Sequence, residues 1–305
     1  MSHEKAVRDA LKINNFRCIL ALCACSLLCI FVFLGVCIQL LDSPNDLIEE
    51  VGWKAYHLFT ILSNMLMAAT AAMCIPYTVD GLRNHNYHLP RWIINLMFIG
   101  TTNVAVTFLV ALTVLSPGAG FYRVMFWSNN LHLHTICPIL AILLFFFINS
   151  DHRISFRSSL LAIIPVSVYG LLYLTMVFII GEDAGGWRDH YQIQAIAEKL
   201  PLPVLLLLLC LISFGLANGL RAIHNLIHEK RKRGLARYYQ QHEVFAYDDI
   251  ESAIRALARM DRRMDKGGEM TVPRRIMNMM EEKYRSGLSV GEMSKLYIDG
   301  YYSED

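Results

Sequence analysis

The chain has 305 residues, 55% of them hydrophobic and 18% charged, with 28 Lys and Arg against 26 Asp and Glu for a formal net charge of +2. Soluble domains carry about 25% charged residues, and the deficit is uneven: residues 222–305 hold 15 Lys/Arg and 14 Asp/Glu, leaving the first 221 about 11% charged. So little charge cannot cover a water-facing surface, which excludes a soluble enzyme, a disordered chain and a secreted disulfide scaffold and leaves a polytopic membrane protein.

A helix that crosses a bilayer needs roughly 20 mostly apolar residues. Six stretches qualify, at about 18–41, 56–79, 92–116, 131–149, 158–181 and 202–220. The first is preceded by polar residues and lacks a small-residue cleavage site, so it reads as a retained span rather than a signal peptide. All eight cysteines lie inside apolar runs and form no CxxC or spaced framework, which assigns them to packing.

Orientation follows from Lys and Arg in the short connections. One set of segments holds Lys5, Arg8, Lys12 and Arg17, then Arg83 and Arg91, then Arg153 and Arg157, then the tail from Arg221 with its basic run 228–237. The opposite set, 42–55, 117–130 and 182–201, is acidic. Both termini are therefore expected in the cytosol.

The tail is not of low complexity. Asp248 and Asp249 precede a helix whose apolar positions Ile250, Ile254, Leu257 and Met264 keep a period near 3.6, and Gly267-Gly268 would end it. Thr271 and Pro273 would start a second helix carrying Met277, Met280 and Tyr284. Ser289-x-x-Glu292 is a capping box that would start a third. The stretch 287–301 resembles the start of a helix-turn-helix, but its balanced charge argues against nucleic acid, which needs a basic face. The expected architecture is all-α: a cytosolic N-terminus 1–17, a six-helix transmembrane bundle 18–220 and a helical cytosolic tail 221–305.

Polar side chains in hydrocarbon are costly and mark function. Spans two to six contain no Asp, Glu, Lys or Arg within those bounds, which disfavours an ion pump or proton-coupled transporter. His57, Thr60, Ser63 and Asn64 recur at helical spacing on one face of span two. Thr60 falls roughly 6 Å past the start of that span, and His134 lies at similar depth in span four. A hydroxyl beside an imidazole suits covalent catalysis, because a threonine is a weak nucleophile until a base takes its proton. Asn64, Asn103, Asn129 or Asn130 would orient the base or hold an oxyanion. Against this stands the common membrane role of Thr and Ser, bonding back to a carbonyl one turn earlier. A zinc site from His57, His132, His134 and His190 is the other chemical reading, weakened because His132 and His134 diverge by about 200° on a regular helix. No metal or cofactor is expected.

The phrase WKAYHLFTILSN (53–64), followed two spans later by LHLHTICP (131–138), resembles the androgen-induced and androgen-dependent family of six-span membrane threonine hydrolases and its uncharacterised bacterial six-span relatives. The resemblance covers about residues 17–220. It implies Thr60 as nucleophile, His134 as base, hydrolysis of fatty acid esters of hydroxy fatty acids, no metal, and a bacterial plasma membrane. Three residues are inserted between Trp53-Lys54 and the threonine, Pro138 follows the histidine one residue nearer than in the animal proteins, and the later aromatic loop survives only as GGWRDHYQI (185–193). These departures bear on the substrate more than on the fold. The expected function is hydrolysis of lipid-like esters near the outer leaflet, with membrane lipids as surroundings and no nucleic acid partner. The rival is a non-catalytic membrane protein that binds a lipid or recruits a partner through its tail.

Overall fold

The computed structural model describes residues 3–41, 56–83, 89–147, 152–191, 193–241, 247–264 and 280–302, and among them the chain is all-helical with no strand. The first long helices are α1 (His3–Leu41), α2 (Phe59–Arg83) and α3 (Arg91–Val110). α3 continues through a π-helical turn, Ala111–Leu115, into Ser116–Ala119. A short helix α4 (Phe121–Phe126) and a second π turn, Leu131–Ile136, lead into α5 (Cys137–Phe147). Next come α6 (Phe156–Ala162) and α7 (Ile164–Leu174), the latter running into a third π turn, Thr175–Ile180. The chain then forms α8 (Leu202–Gln241) and the tail helices α9 (Ile250–Met264) and α10 (Val290–Tyr302).

Among the described residues five segments are long and apolar enough to cross a membrane: Asn15–Gln39, Phe59–Arg83, Arg91–Ala119, Phe156–Ile180 and Leu202–Lys230. The stretch expected as the fourth span is a shorter apolar helix, Leu131–Phe146; residues 148 and 149 lie outside those described. Two further differences have local causes. The expected span 158–181 is broken at Ile163, because Pro165 has no N–H and its ring crowds the carbonyl one turn back. The last helix does not stop at 220 but runs to Gln241, since 221–241 contains no proline and is rich in good helix formers. Hydropathy falls there; helicity does not.

The chain divides into two compact units, Leu20–Pro76 with Leu89–Leu226, and Met1–Ile19 with Tyr77–His88 and Ile227–Asp305. In the larger unit the helices meet through small residues and a polar seam. A Cβ on Gly100 of α3 would lie 3.3 Å from the Met67 Cα of α2, so those backbones approach as only glycine permits. Ser63 Oγ and Thr107 Oγ1 share a 2.8 Å hydrogen bond between α2 and α3. The Asn103 amide donates to Ile99 O at 2.7 Å and to Ala162 O at 3.1 Å, taking up a carbonyl beside the α6–α7 break.

In the smaller unit α9 and α10 pack through Ile250, Ile254, Leu257, Met293, Tyr297 and Tyr301, with Met280 and Tyr284 against the same core. Asp249 Oδ1 accepts from Ser252 N at 2.7 Å, closing the start of α9. Both halves of the Ser289–Glu292 capping box are made: Ser289 N donates to Glu292 Oε2 at 2.8 Å, and Glu292 N to Ser289 Oγ at 3.3 Å. Gly267-Gly268, Thr271, Pro273 and Met277 lie outside the described residues.

The crossing of α9 and α10 depends on Gly300, where a Cβ would sit 2.9 Å from the Arg255 Cα and 3.1 Å from the Ala258 Cβ. Gly300→Val should cost about 1–3 kcal/mol of tail stability by overpacking. Limited proteolysis of the full-length protein should then cut within 247–302 faster, with the apolar helices still protected.

Candidate active site

The site begins at the first turn of α2. The first four N–H groups of a helix have no partner within it. That of Phe59 donates to the Tyr191 hydroxyl at 3.1 Å, a residue 132 positions later in the connection between α7 and α8. Helix α2 therefore starts at Phe59, and His57 lies ahead of it in a 3₁₀ turn rather than on the Thr60 face as the spacing suggested. Thr60, Ser63 and Asn64 do share that face, and Ser63 and Asn64 are buried.

The second half comes from α4. A six-residue helix leaves its last carbonyls unpaired, and three of them are met by side chains that follow within a dozen residues. Asn130 Nδ2 donates to Arg123 O at 3.1 Å, His134 Nδ1 to Val124 O at 2.8 Å, and Thr135 Oγ1 to Met125 O at 2.6 Å. The π turn Leu131–Ile136 sets the spacing that lets both His134 and Thr135 reach back.

These two halves meet. His134 Nε2 lies 3.3 Å from Thr60 Oγ1. A carbonyl only accepts, so the bond to Val124 O fixes the imidazole proton on Nδ1 and leaves the Nε2 lone pair facing the threonine hydroxyl. The Thr60 O–H is the donor and the neutral histidine the acceptor. Asn64 ties the partners from behind: its amide donates to Thr60 O at 2.7 Å and to Leu133 O at 3.0 Å, linking the residue of the hydroxyl to the residue before the imidazole.

The other candidate asparagines are spent elsewhere. Asn103 bridges α3 to the α6–α7 break, Asn129 donates to Gln39 Oε1 and Asn130 caps α4. None of these three directs its amide at the Thr60–His134 pair.

The outer histidines separate. His57 stacks on Trp187, with centroids 4.8 Å apart, and faces His190 at 5.3 Å. His132 packs against Phe31 at 5.8 Å, away from His134. Among the described residues no three His, Cys, Asp or Glu side chains gather as a metal site would need.

Thr60, His134 and Tyr191 share the wall of a cavity of about 170 Å³. The rest of its lining is almost entirely aliphatic and aromatic, with Val110, Leu174 and Leu206 among the contributors. This is below the roughly 300–1,000 Å³ usual for drug-sized ligands. Two of the three π turns border it, through Ala111 and His134; in the third the Met176 carbonyl accepts from Gly181 N and Trp187 N, both at 3.2 Å.

No protein-family model, curated protein or solved structure matches the chain.

Residue spacing did not point to Tyr191. The reach of the tyrosine in GGWRDHYQI to the α2 N-terminus is a tertiary fact that no local pattern signals. Asn64 is the residue whose loss would loosen the site without touching either reacting atom. Asn64→Ala should cost about 1–2 kcal/mol, seen as a lower thermal midpoint of the purified protein in detergent.

Proposed function

We propose that the chain is an integral membrane hydrolase of lipid-like carboxylic esters, with Thr60 as nucleophile and His134 as general base. The observation that carries this reading is the tautomer: His134 is committed through Nδ1 to Val124 O, and Nε2 faces Thr60 Oγ1 at 3.3 Å. A pair that merely satisfied buried groups would not need an apolar cavity at the hydroxyl, yet both side chains line one. The resemblance to six-span threonine hydrolases supports the same chemistry. In the first half-reaction Nε2 takes the hydroxyl proton as Oγ1 attacks the ester carbonyl carbon, and the departing alkoxide leaves with that proton. In the second, water follows the same course and releases the acid.

The reading includes six crossings, the shortest being that of Leu131–Phe146, with both termini in the cytosol. Two observations support it. Met1–Ile19, Tyr77–His88 and Ile227–Asp305 form one compact unit, as expected if these segments share a face. Arg91 Nε donates to His152 Nδ1 at 3.2 Å, and Ile154 pairs with Asn225 through bonds of 2.9 and 3.1 Å, joining three connections assigned inside. Thr60 and His134 then lie under the outer headgroups.

Thr60→Ala should abolish hydrolysis of a long-chain p-nitrophenyl ester and covalent labelling by a fluorophosphonate, while Thr60→Ser keeps part of both. His134→Ala should lose nearly as much as the double variant, because groups acting in one step are not additive. His132→Ala should retain most activity. Unchanged hydrolysis in folded Thr60→Ala protein would exclude the mechanism, and absence of labelling in every variant would favour a lipid-binding role.

Orientation has its own test. With the native cysteines replaced, Asp183→Cys should react with an impermeant maleimide in intact cells and Arg153→Cys only after permeabilisation. The reverse pattern would move the site to the inner leaflet.

A further inference from the structure

Attack on an ester pushes negative charge onto the carbonyl oxygen, and in a dry site that charge needs preorganised donors. The asparagine amides are already occupied, so the donors must be sought on the remaining polar side chains that face the cavity. Three are phenols, Tyr169 and Tyr173 of α7 and Tyr191 of the following connection, and of these Tyr173 already gives its proton to Asp189.

Tyr191 is held from both ends. Its backbone N–H donates to the Tyr173 hydroxyl at 3.2 Å, and that hydroxyl gives its own proton to Asp189 Oδ1 at 2.9 Å. Asp189 Oδ2 in turn accepts from Gln194 N at 2.7 Å, clamping the connection on either side of the tyrosine. At the other end the phenolic oxygen receives Phe59 N–H at 3.1 Å. That bond uses a lone pair and leaves the phenolic proton available, with the Thr60 and Tyr169 hydroxyls beside it. Burial raises the Tyr191 phenol above its ordinary value, so it stays protonated and able to donate.

Tyr169 supplies an independent sign. Its side chain is 9% exposed, it packs against Phe59 at 4.9 Å, and its hydroxyl completes no hydrogen bond of ordinary geometry. Its nearest polar neighbour is the Tyr191 hydroxyl, and a ligand oxygen in the cavity would give both phenols an acceptor.

We infer that the hydroxyls of Tyr191 and Tyr169 form the oxyanion-binding pair, donating to the carbonyl oxygen of a neutral carboxylic ester as Thr60 attacks. The inference rests on Thr60 being the nucleophile. As the Thr60 Oγ1–carbon bond forms, the carbonyl π electrons move to oxygen, where the two phenolic protons meet them. When the tetrahedral intermediate collapses, those electrons re-form the carbonyl, the ester C–O bond breaks and the leaving alkoxide takes the proton held on His134 Nε2. The phenols keep their protons throughout. Tyr191 also receives the N-terminus of α2, whose dipole makes its O–H a stronger donor. It is the principal member of the pair, and Tyr169 the second.

The test uses full-length protein in detergent micelles, with Tyr191→Phe, Tyr169→Phe, the double variant and Thr60→Ala beside wild type. Tyr191→Phe should lower kcat on a long-chain p-nitrophenyl ester by about 10²–10³-fold with KM little changed, and Tyr169→Phe by less. A long-chain alkyl trifluoromethyl ketone, which would add Thr60 Oγ1 to form a bound oxyanion, should lose affinity in step with kcat/KM across the variants. The matching saturated ether, which forms no oxyanion, should bind all of them alike. If ketone and ether weaken equally, the tyrosines only shape the cavity and the assignment is overturned. If both Phe variants keep full kcat/KM while Thr60→Ala is inactive, the oxyanion pair is wrong and the threonine mechanism stands. If Thr60→Ala remains active, or wild type turns over no ester and binds no ketone, both fall together.

Discussion

Backbone groups that cannot reach water must find partners inside the protein, and the candidate site is built on how one short helix meets that demand. Helix α4 ends after six residues, so its last carbonyls face the interior unpaired. Asn130, His134 and Thr135 fold back to take three of them. The bond from His134 does two things at once. It removes an orphan acceptor from an apolar region, and it fixes which imidazole nitrogen is basic. A structural necessity of the backbone thereby sets the chemistry of the side chain.

The same logic explains why a carbonyl rather than a carboxylate stands behind the histidine. A carboxylate behind the histidine would bring a buried charge into the helix bundle at a cost of several kcal/mol. A peptide carbonyl fixes the tautomer without that charge. The cavity beside the pair has few competing dipoles, so hydrogen bonds made there count for more than they would in water. Asn64 serves the geometry rather than the charge, holding Thr60 and Leu133 by their carbonyls so that α2 and the π turn cannot drift apart.

Local signals were legible wherever the cause is local. The Ser289–Glu292 box and the Asp249 cap act within three residues, and both are made. Ile250, Ile254 and Leu257 pack as their spacing indicates, because a core one helix wide needs only one stripe. Thr60 and His134 were legible for another reason: polar groups inside apolar runs stand out, and helical rise places them at matching depth. His57 was misplaced because its helical spacing to Thr60 continues past the point where the helix starts. That start is set by Tyr191 capping Phe59 from far along the chain. The breaks and π turns were missed because hydropathy does not register backbone hydrogen-bond pattern.

By itself the sequence determined an all-helical chain with long apolar helices, the caps of its tail and a hydroxyl and an imidazole embedded in hydrophobic stretches. These follow from composition, period and capping chemistry, which act over a few residues. Tertiary structure alone decided that His134 presents Nε2 to Thr60, that Asn64 ties the two while Asn103, Asn129 and Asn130 are committed elsewhere, and that Tyr169 and Tyr191 stand at the same cavity. A hydrogen bond joins atoms within about 3 Å whatever lies between them in sequence, and the contacts that bring Thr60, His134 and Tyr191 together reach across 74 and 132 residues. No pattern along the chain encodes distances of that kind; only the packing of the helices brings the atoms together.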